Sequence, residues 1–424
     1  MKNEKKLYSL GLASVTVILF LSFFSSASSA AIAQSDSSLS SYAYITNYGS
    51  NNVSVINTST NSVLTTVPVG NGPYGVAVTP DGTAVYVANQ ASNDVSIIDT
   101  AKNTVKSTQF LGIGPTGIAV TPDGTKVYVT LYGNNDKRGN EVAVIDTADT
   151  NNITHVTVRD SPFGVAVSPD GKKVYVANDF DGTVSVIDNA TNSVINNIVL
   201  HKNEHPGGIA ATPDGEKVYV TSGSTNNVSV INTTTNTVIA MIPVGQRPTG
   251  IVVTPDGAKV YVANLDSHSV SVIDTATNTA VGNPIPVGNR PVGIAVTPDG
   301  KRVYIANAED STFSVIDTGT DMLITENVNV GHAPKAFGQF ISIPIREPQV
   351  LQQVQEHIPI PNNNTVRLIT GAILIIVGLF LVLNTRKENV DIEIGVSTKT
   401  VKYVGGTGIV LIVIGAYIML NGII

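Results

Sequence analysis

Residues 79–99 read TPDGTAVYVANQASNDVSIID. A Pro-Asp-Gly turn precedes two runs of β-branched and small residues. Asp bonds its own backbone in such a turn and Gly tolerates positive φ. The stretch is therefore expected to fold as consecutive antiparallel strands. Its three signals return in fixed order. T/S-P-D-G recurs at 79–82, 121–124, 168–171, 212–215, 254–257 and 297–300, with its aspartates 42, 47, 44, 42 and 43 residues apart. A strand opening on tyrosine recurs at Tyr44, Tyr86, Tyr128, Tyr175, Tyr219, Tyr261 and Tyr304, as YITN, YVAN, YVTL or a close variant. A third signal, VSVID or a close variant, begins at 53, 95, 142, 184, 228, 270 and 313.

A repeat of 40–45 residues carrying four strands has the period of a propeller blade. G-[IV]-A-V-T is the first strand, K-V-Y-V-A-N the second and V-S-V-I-D the third; a D-T-A-T-N-T-V turn leads into the fourth. Val and Ile suit strands buried on both faces, and Tyr adds buried area with a hydroxyl that needs a partner. There are seven tyrosine strands but six T/S-P-D-G turns, and the unit lacking a first strand starts at Tyr42. A spare segment, HAPKAFGQFIS at 332–342, lies at the far end. It is expected to pair with residues 42–69 and complete a seventh blade, so that no edge stays open. Six blades with frayed ends is the alternative.

The blade links explain a misleading motif. GNGPYG at 70–75 fits G-x-G-x-x-G, yet a strand pattern follows it where a dinucleotide site needs a helix, and GIGPTG at 112–117 repeats the arrangement. Both read as links from one blade to the next, and no nucleotide cofactor is expected.

These motifs resemble the YVTN family of β-propellers, seen here as YVAN, YITN and YVTL over about residues 42–343. The resemblance implies similarity to archaeal surface-layer and cell-surface proteins, and more distantly to lactonase-like seven-bladed propellers. It is specific for fold and weak for function.

Composition narrows the chemistry. The chain has 424 residues, a formal charge of −7, no cysteine and no tryptophan. Disulfides, thiolate metal sites and iron–sulfur clusters are excluded, absent tryptophan argues against a WD40 propeller, and the scattered Lys and Arg suggest no nucleic-acid groove.

Both ends carry membrane signals. Residues 1–33 are expected to be a signal peptide, with Lys2, Lys5 and Lys6 before an apolar stretch from Leu7 to Phe24 and an Ala31-Ile32-Ala33 cleavage site. Residues 34–41 read as a short linker and 42–343 as the propeller. Residues 344–366, with Pro344, Pro348, Pro359 and Pro361, read as a stiff stalk. Residues 367–424 read as a two-helix transmembrane hairpin, with apolar runs at 368–383 and 404–424. The loop at 385–403 carries Arg386, Lys387, Lys399 and Lys402, which places it in the cytoplasm and the propeller outside. Gly371 with Gly378, and Gly408 with Gly415, would let the two helices pack closely.

The residue before each linking proline is Gly72, Gly114, Ser161, His205, Arg247, Arg290 and Ala333. These loops surround the propeller mouth, so His201, His205, Arg247, Arg290 and His332 are the candidate ligand-binding residues. Imidazole and guanidinium together suit an anion, although solvated loop decoration gives the same pattern. His201, Glu204 and His205 have metal-ligand chemistry but no set geometry; neither a metal nor a cofactor is expected. LYGNNDKRGN at 131–140 reads as the main inserted loop. Glycosylation candidates are Asn52, Asn57, Asn152, Asn189, Asn227, Asn232 and Asn363. No catalytic motif stands out. The expectation is a membrane-anchored extracellular module for recognition, adhesion or envelope structure, partnered by protein or glycan; an anchored lactonase-like or other hydrolase acting at the mouth is the alternative.

Overall fold

The structure, a computed structural model, describes residues 40–134, 136–201, 204–345 and three short stretches at 393–396, 399–402 and 418–419. The first unit is a seven-bladed propeller. Six blades are four-stranded antiparallel sheets whose strands run in chain order. We number blade II from Pro73–Val78 to Thr104–Phe110, blade III from Pro115–Val120 to Ile153–Thr157, and blade IV from Pro162–Val167 to Ser193–Val199. Blade V runs from Pro206–Ala211 to Thr237–Pro243, blade VI from Pro248–Val253 to Thr279–Pro286, and blade VII from Pro291–Val296 to Met322–Asn329.

Blade I closes the ring. Its strands Tyr42–Asn47, Asn52–Asn57 and Ser62–Pro68 form a three-stranded sheet. The missing innermost strand comes from the other end, through antiparallel bridges Asn47–Pro334, Ala43–Ile341 and Ser40–Ile345. Pairing thus reaches two residues beyond the expected propeller boundary at each end. The closing segment also pairs sideways, because Val76 N donates to Phe337 O at 3.0 Å and Phe337 N to Tyr74 O at 3.2 Å.

Each linking proline opens an innermost strand, and two residues later stands Gly75, Gly117, Gly164, Gly208, Gly250 or Gly293. A Cβ on any of these would lie 2.1–2.3 Å from a carbonyl oxygen of the next blade. Glycine there lets neighbouring blades approach backbone to backbone. The following residues, among them Ile118, Val165, Ile209, Ile251 and Ile294, line a small axial cavity with Phe337 of the closing strand. The recurrent tyrosines are buried at the second strands. Several hydroxyls reach the next blade: Tyr219 donates to Asn278 Oδ1 at 2.7 Å, Tyr128 to Asn189 Oδ1 at 2.6 Å, and Tyr261 to Asp321.

Residues 131–140, expected as a loop, belong largely to an extended hairpin of Lys126–Gly133 with Arg138–Asp146. Their alternation is too short to announce it, and register shifts between Arg138 and Glu141.

The second unit begins at Val354. Its described residues are Glu393–Val396, Lys399–Lys402 and Ile418–Met419, which form a small three-stranded sheet. The first two strands lie within the expected cytoplasmic loop, and the third within the second expected helix. The signal segment, nearly all of the stalk, the first expected helix and Asn363 lie outside the described residues. Among the described residues, no helix is long and apolar enough to cross a membrane.

Candidate functional site

The linking loops set the mouth. Gly72, Gly114, Ser161, Arg247, Arg290 and Ala333 all have φ between 51° and 68°, the left-handed region. Two blades fill this position with glycine; blades VI and VII fill it with arginine, which is costlier there. A side-chain amide carbonyl or an imidazole nitrogen fixes four of these loops. Gly72 N donates to Asn51 Oδ1 at 2.9 Å, Gly114 N to Asn93 Oδ1 at 3.0 Å, and Arg247 N to Asn226 Oδ1 at 2.9 Å. In blade VII the acceptor is His268 Nδ1, 3.1 Å from Arg290 N. His268 thus caps a loop where other blades use Asn.

The sequence candidates do not gather in one cluster. Arg247 and Arg290 both act on Lys335, which the sequence reading did not single out. Burial, then Arg290, then Arg247, hold the Lys335 amine below its ordinary pKa. Lys335 is half-buried in the closing strand, and its Nζ stands 5.9 Å from the Tyr48 ring centroid and 5.8 Å from that of Tyr74. Among the described residues neither Lys335 nor Arg290 has an ion-pair partner; Arg247 has Asp266 at 3.9 Å, with both side chains well exposed. Blades VI, VII and I therefore present three cations on one rim of a chain whose net charge is −7.

An aromatic floor leads away from this rim. Tyr74 packs edge-on to Phe163 at 5.7 Å, Phe163 to Phe337 at 5.1 Å, and Tyr132 to Phe163 at 5.5 Å between centroids. Burial and the neighbouring Tyr132 push the Tyr74 hydroxyl up, while Arg247 opposes them. The far side belongs to blades III and IV. There the Tyr132 hydroxyl donates to Asp179 Oδ2 at 2.9 Å, and burial followed by Asp179 raises its pKa to about 12. His205 Nδ1 lies 3.2 Å from Asp179 Oδ1. The His205 ring also meets Phe180 edge-on at 5.8 Å, and the Arg138 guanidinium covers Phe180 at 3.1 Å.

The remaining histidines serve elsewhere. His201 pairs at 3.9 Å with Glu204, which is buried and accepts from Ser229 Oγ at 3.0 and 3.1 Å. Burial raises the Glu204 pKa; Ser229 and His201 work against it. In blades I, II, IV, VI and VII an Asn side chain donates to this serine position, as Asn47 does to Ser54 at 2.9 Å. Blade V has Ser222 in place of Asn, and Glu204 fills the slot. His205 is turned instead to Asp179, so His201, Glu204 and His205 share no centre. His332 packs its ring against Gly49. No group of metal ligands occurs among the described residues.

Of the sequons, Asn152 is exposed, whereas Asn57 and Asn227 are buried at 8% and 7% exposure. Asn189 has its amide committed, Nδ2 donating to Gly171 O at 2.8 Å.

Comparisons place the fold in company. The family model for "Lactonase, 7-bladed beta-propeller" matches residues 165–283, which span most of blade IV through blade VI and include His201, His205 and Arg247. Among curated proteins none matches. Solved structures do. A chain of hydrazine synthase from Kuenenia stuttgartiensis is 28% identical, with a TM-score of 0.61 over 66% of this chain and 92% of that one. A functionally unknown protein from Desulfotomaculum acetoxidans is 18% identical, with a TM-score of 0.61 over 72% and 99%. Virginiamycin B lyase from Staphylococcus aureus is 17% identical, with a TM-score of 0.52 over 61% and 85%. The last two show likeness of fold alone, and the chain is a β-propeller protein.

Proposed function

We propose that this protein is a membrane-tethered, extracellular recognition module whose propeller mouth takes an anionic ligand. One observation carries the reading: the Lys335 amine stands over the Tyr48 and Tyr74 rings with no carboxylate partner among the described residues, on the rim where the loops into blades VI and VII place Arg247 and Arg290. Like charges held together cost free energy unless a ligand neutralises them. Resemblance to YVTN cell-surface proteins and the terminal apolar runs support an exterior location.

The test is the melting temperature of the full-length protein against small carboxylates, phosphate and sulfate, beside an Arg247→Ala, Arg290→Ala double variant. A ligand at 100 times its dissociation constant adds about 2.7 kcal/mol of stability. An upward shift in the parent that the variant loses is expected; equal shifts, or none, contradict the reading.

A second reading has its own observation. His205 and Asp179 form an imidazole–carboxylate pair at the mouth, inside the segment matching the lactonase family. Such a pair is able to activate a water as a general base. Hydrolysis of a lactone panel by the parent, lost in His205→Ala, would establish this reading.

A further inference from the structure

The two sides of the mouth ask different things of a ligand. The cationic rim suits a carboxylate or phosphate, onto which guanidinium groups fork. The opposite side holds the Asp179 carboxylate, which accepts from the Tyr132 hydroxyl and keeps lone pairs for further donors. Between them runs the aromatic floor of Tyr74, Phe163 and Tyr132. A ligand matched to all three carries one anionic group, an apolar face and hydroxyl donors at its far end. A bare phosphate uses only the rim. A neutral sugar leaves Lys335 and Arg290 without an anionic partner, and an aromatic acid brings Asp179 no further donor, in the manner by which sites reject analogues lacking a hydroxyl.

We propose that the mouth binds a sugar acid, with its carboxylate on Lys335, Arg290 and Arg247, its ring face on Tyr74 and Phe163, and its hydroxyls toward Asp179. This rests on the anion-binding reading above and names the ligand class. Free uronate and the uronate end of a polysaccharide present the same chemistry.

Arg290 offers a clean variant. Gly72 and Gly114 occupy the same left-handed loop position in blades II and III, so Arg290→Gly removes a cation while relieving backbone strain.

The experiment is calorimetric titration of the full-length protein with D-glucuronate, a tetra-galacturonate, D-glucose, benzoate and inorganic phosphate. Glucuronate or the oligomer is expected to bind at least ~10-fold tighter than the other three, a difference of about 1.4 kcal/mol. Glucuronate alone sufficing would mark a free sugar acid as the ligand, and binding confined to the oligomer would mark a polysaccharide. Arg290→Gly and Lys335→Met should each lose at least ~10-fold in uronate affinity. Asp179→Asn should weaken uronate binding and leave benzoate unchanged. Phosphate or benzoate binding without uronate binding overturns the sugar-acid assignment and leaves the anion reading standing. Binding by none of the probes overturns the sugar-acid assignment and removes its main support. Uronate binding unaffected by Lys335→Met and Arg290→Gly would place the ligand elsewhere and refute the proposed site.

Discussion

Ser40 and Ile345 exchange a reciprocal pair of backbone hydrogen bonds, 2.9 and 3.0 Å long, and so tie the two ends of the ring together. The closure is reinforced inward and outward. Phe340 of the closing strand is fully buried beside Tyr42 and Tyr44. Tyr304 of blade VII donates to Thr58 O at 3.1 Å and Asn61 Oδ1 at 2.5 Å in blade I.

Loss of the closing contacts should therefore destabilise the whole ring. Phe340→Ala is expected to cost about 3–5 kcal/mol through the cavity it leaves, and Tyr304→Phe about 1–2 kcal/mol through the lost hydrogen bonds. Urea unfolding measures both. Phe110→Ala, at a side chain 72% exposed, is the control and should change little.

Gly250 tests the packing of blade on blade. Its Cβ would sit 2.3 Å from Val292 O, a backbone atom that cannot rotate away. Gly250→Ala should lower the melting temperature, by an overpacking cost of about 1–3 kcal/mol. An unchanged melting temperature would mean that the inner strands slide freely.

The turn aspartates make the ring acid-sensitive. A threonine or serine hydroxyl, followed by a backbone N–H, holds Asp123, Asp170, Asp214 and Asp256 below the ordinary carboxylate pKa. A folded-state pKa below the unfolded value contributes stability present above that unfolded value and lost as pH falls through the folded one. Unfolding followed below about pH 4 should show this loss, reduced in an Asp123→Asn, Asp256→Asn variant.

Glu204 has the opposite sign. Burial raises its pKa, so its contribution is full below the unfolded value near 4.5 and is lost as pH rises through the folded value. Between neutral pH and 4.5 the parent should gain stability relative to Glu204→Gln. Parallel pH curves for the two proteins would refute this.

Much of the ring was legible because one blade is written seven times. Strand order, the Pro-Asp-Gly turns and the spare segment at 332–342 followed from period and count alone. The mouth was half legible. Arg247 and Arg290 stood out as charged residues where other blades have glycine, serine, histidine or alanine. Lys335 escaped because its strand lacks the G-[IV]-A-V pattern; aligning the residues after each linking proline (Tyr74, Thr116, Phe163, Gly207, Thr249, Val292 and Lys335) exposes it. Partner choice among the histidines was not legible at all. Whether a loop imidazole caps a backbone N–H, as His268 does, or faces a carboxylate, as His205 does, depends on a distance across blades.

Lys335 provides the most direct measurement. Its ε-carbon can be titrated by NMR in the full-length protein, with and without D-glucuronate. In the free protein its pKa should lie below the ordinary lysine value, because burial and two guanidinium groups disfavour the ammonium. That pKa should shift upward when a carboxylate binds, with affinity falling as pH rises through the free-state value. An ordinary lysine pKa that glucuronate leaves unmoved would contradict this.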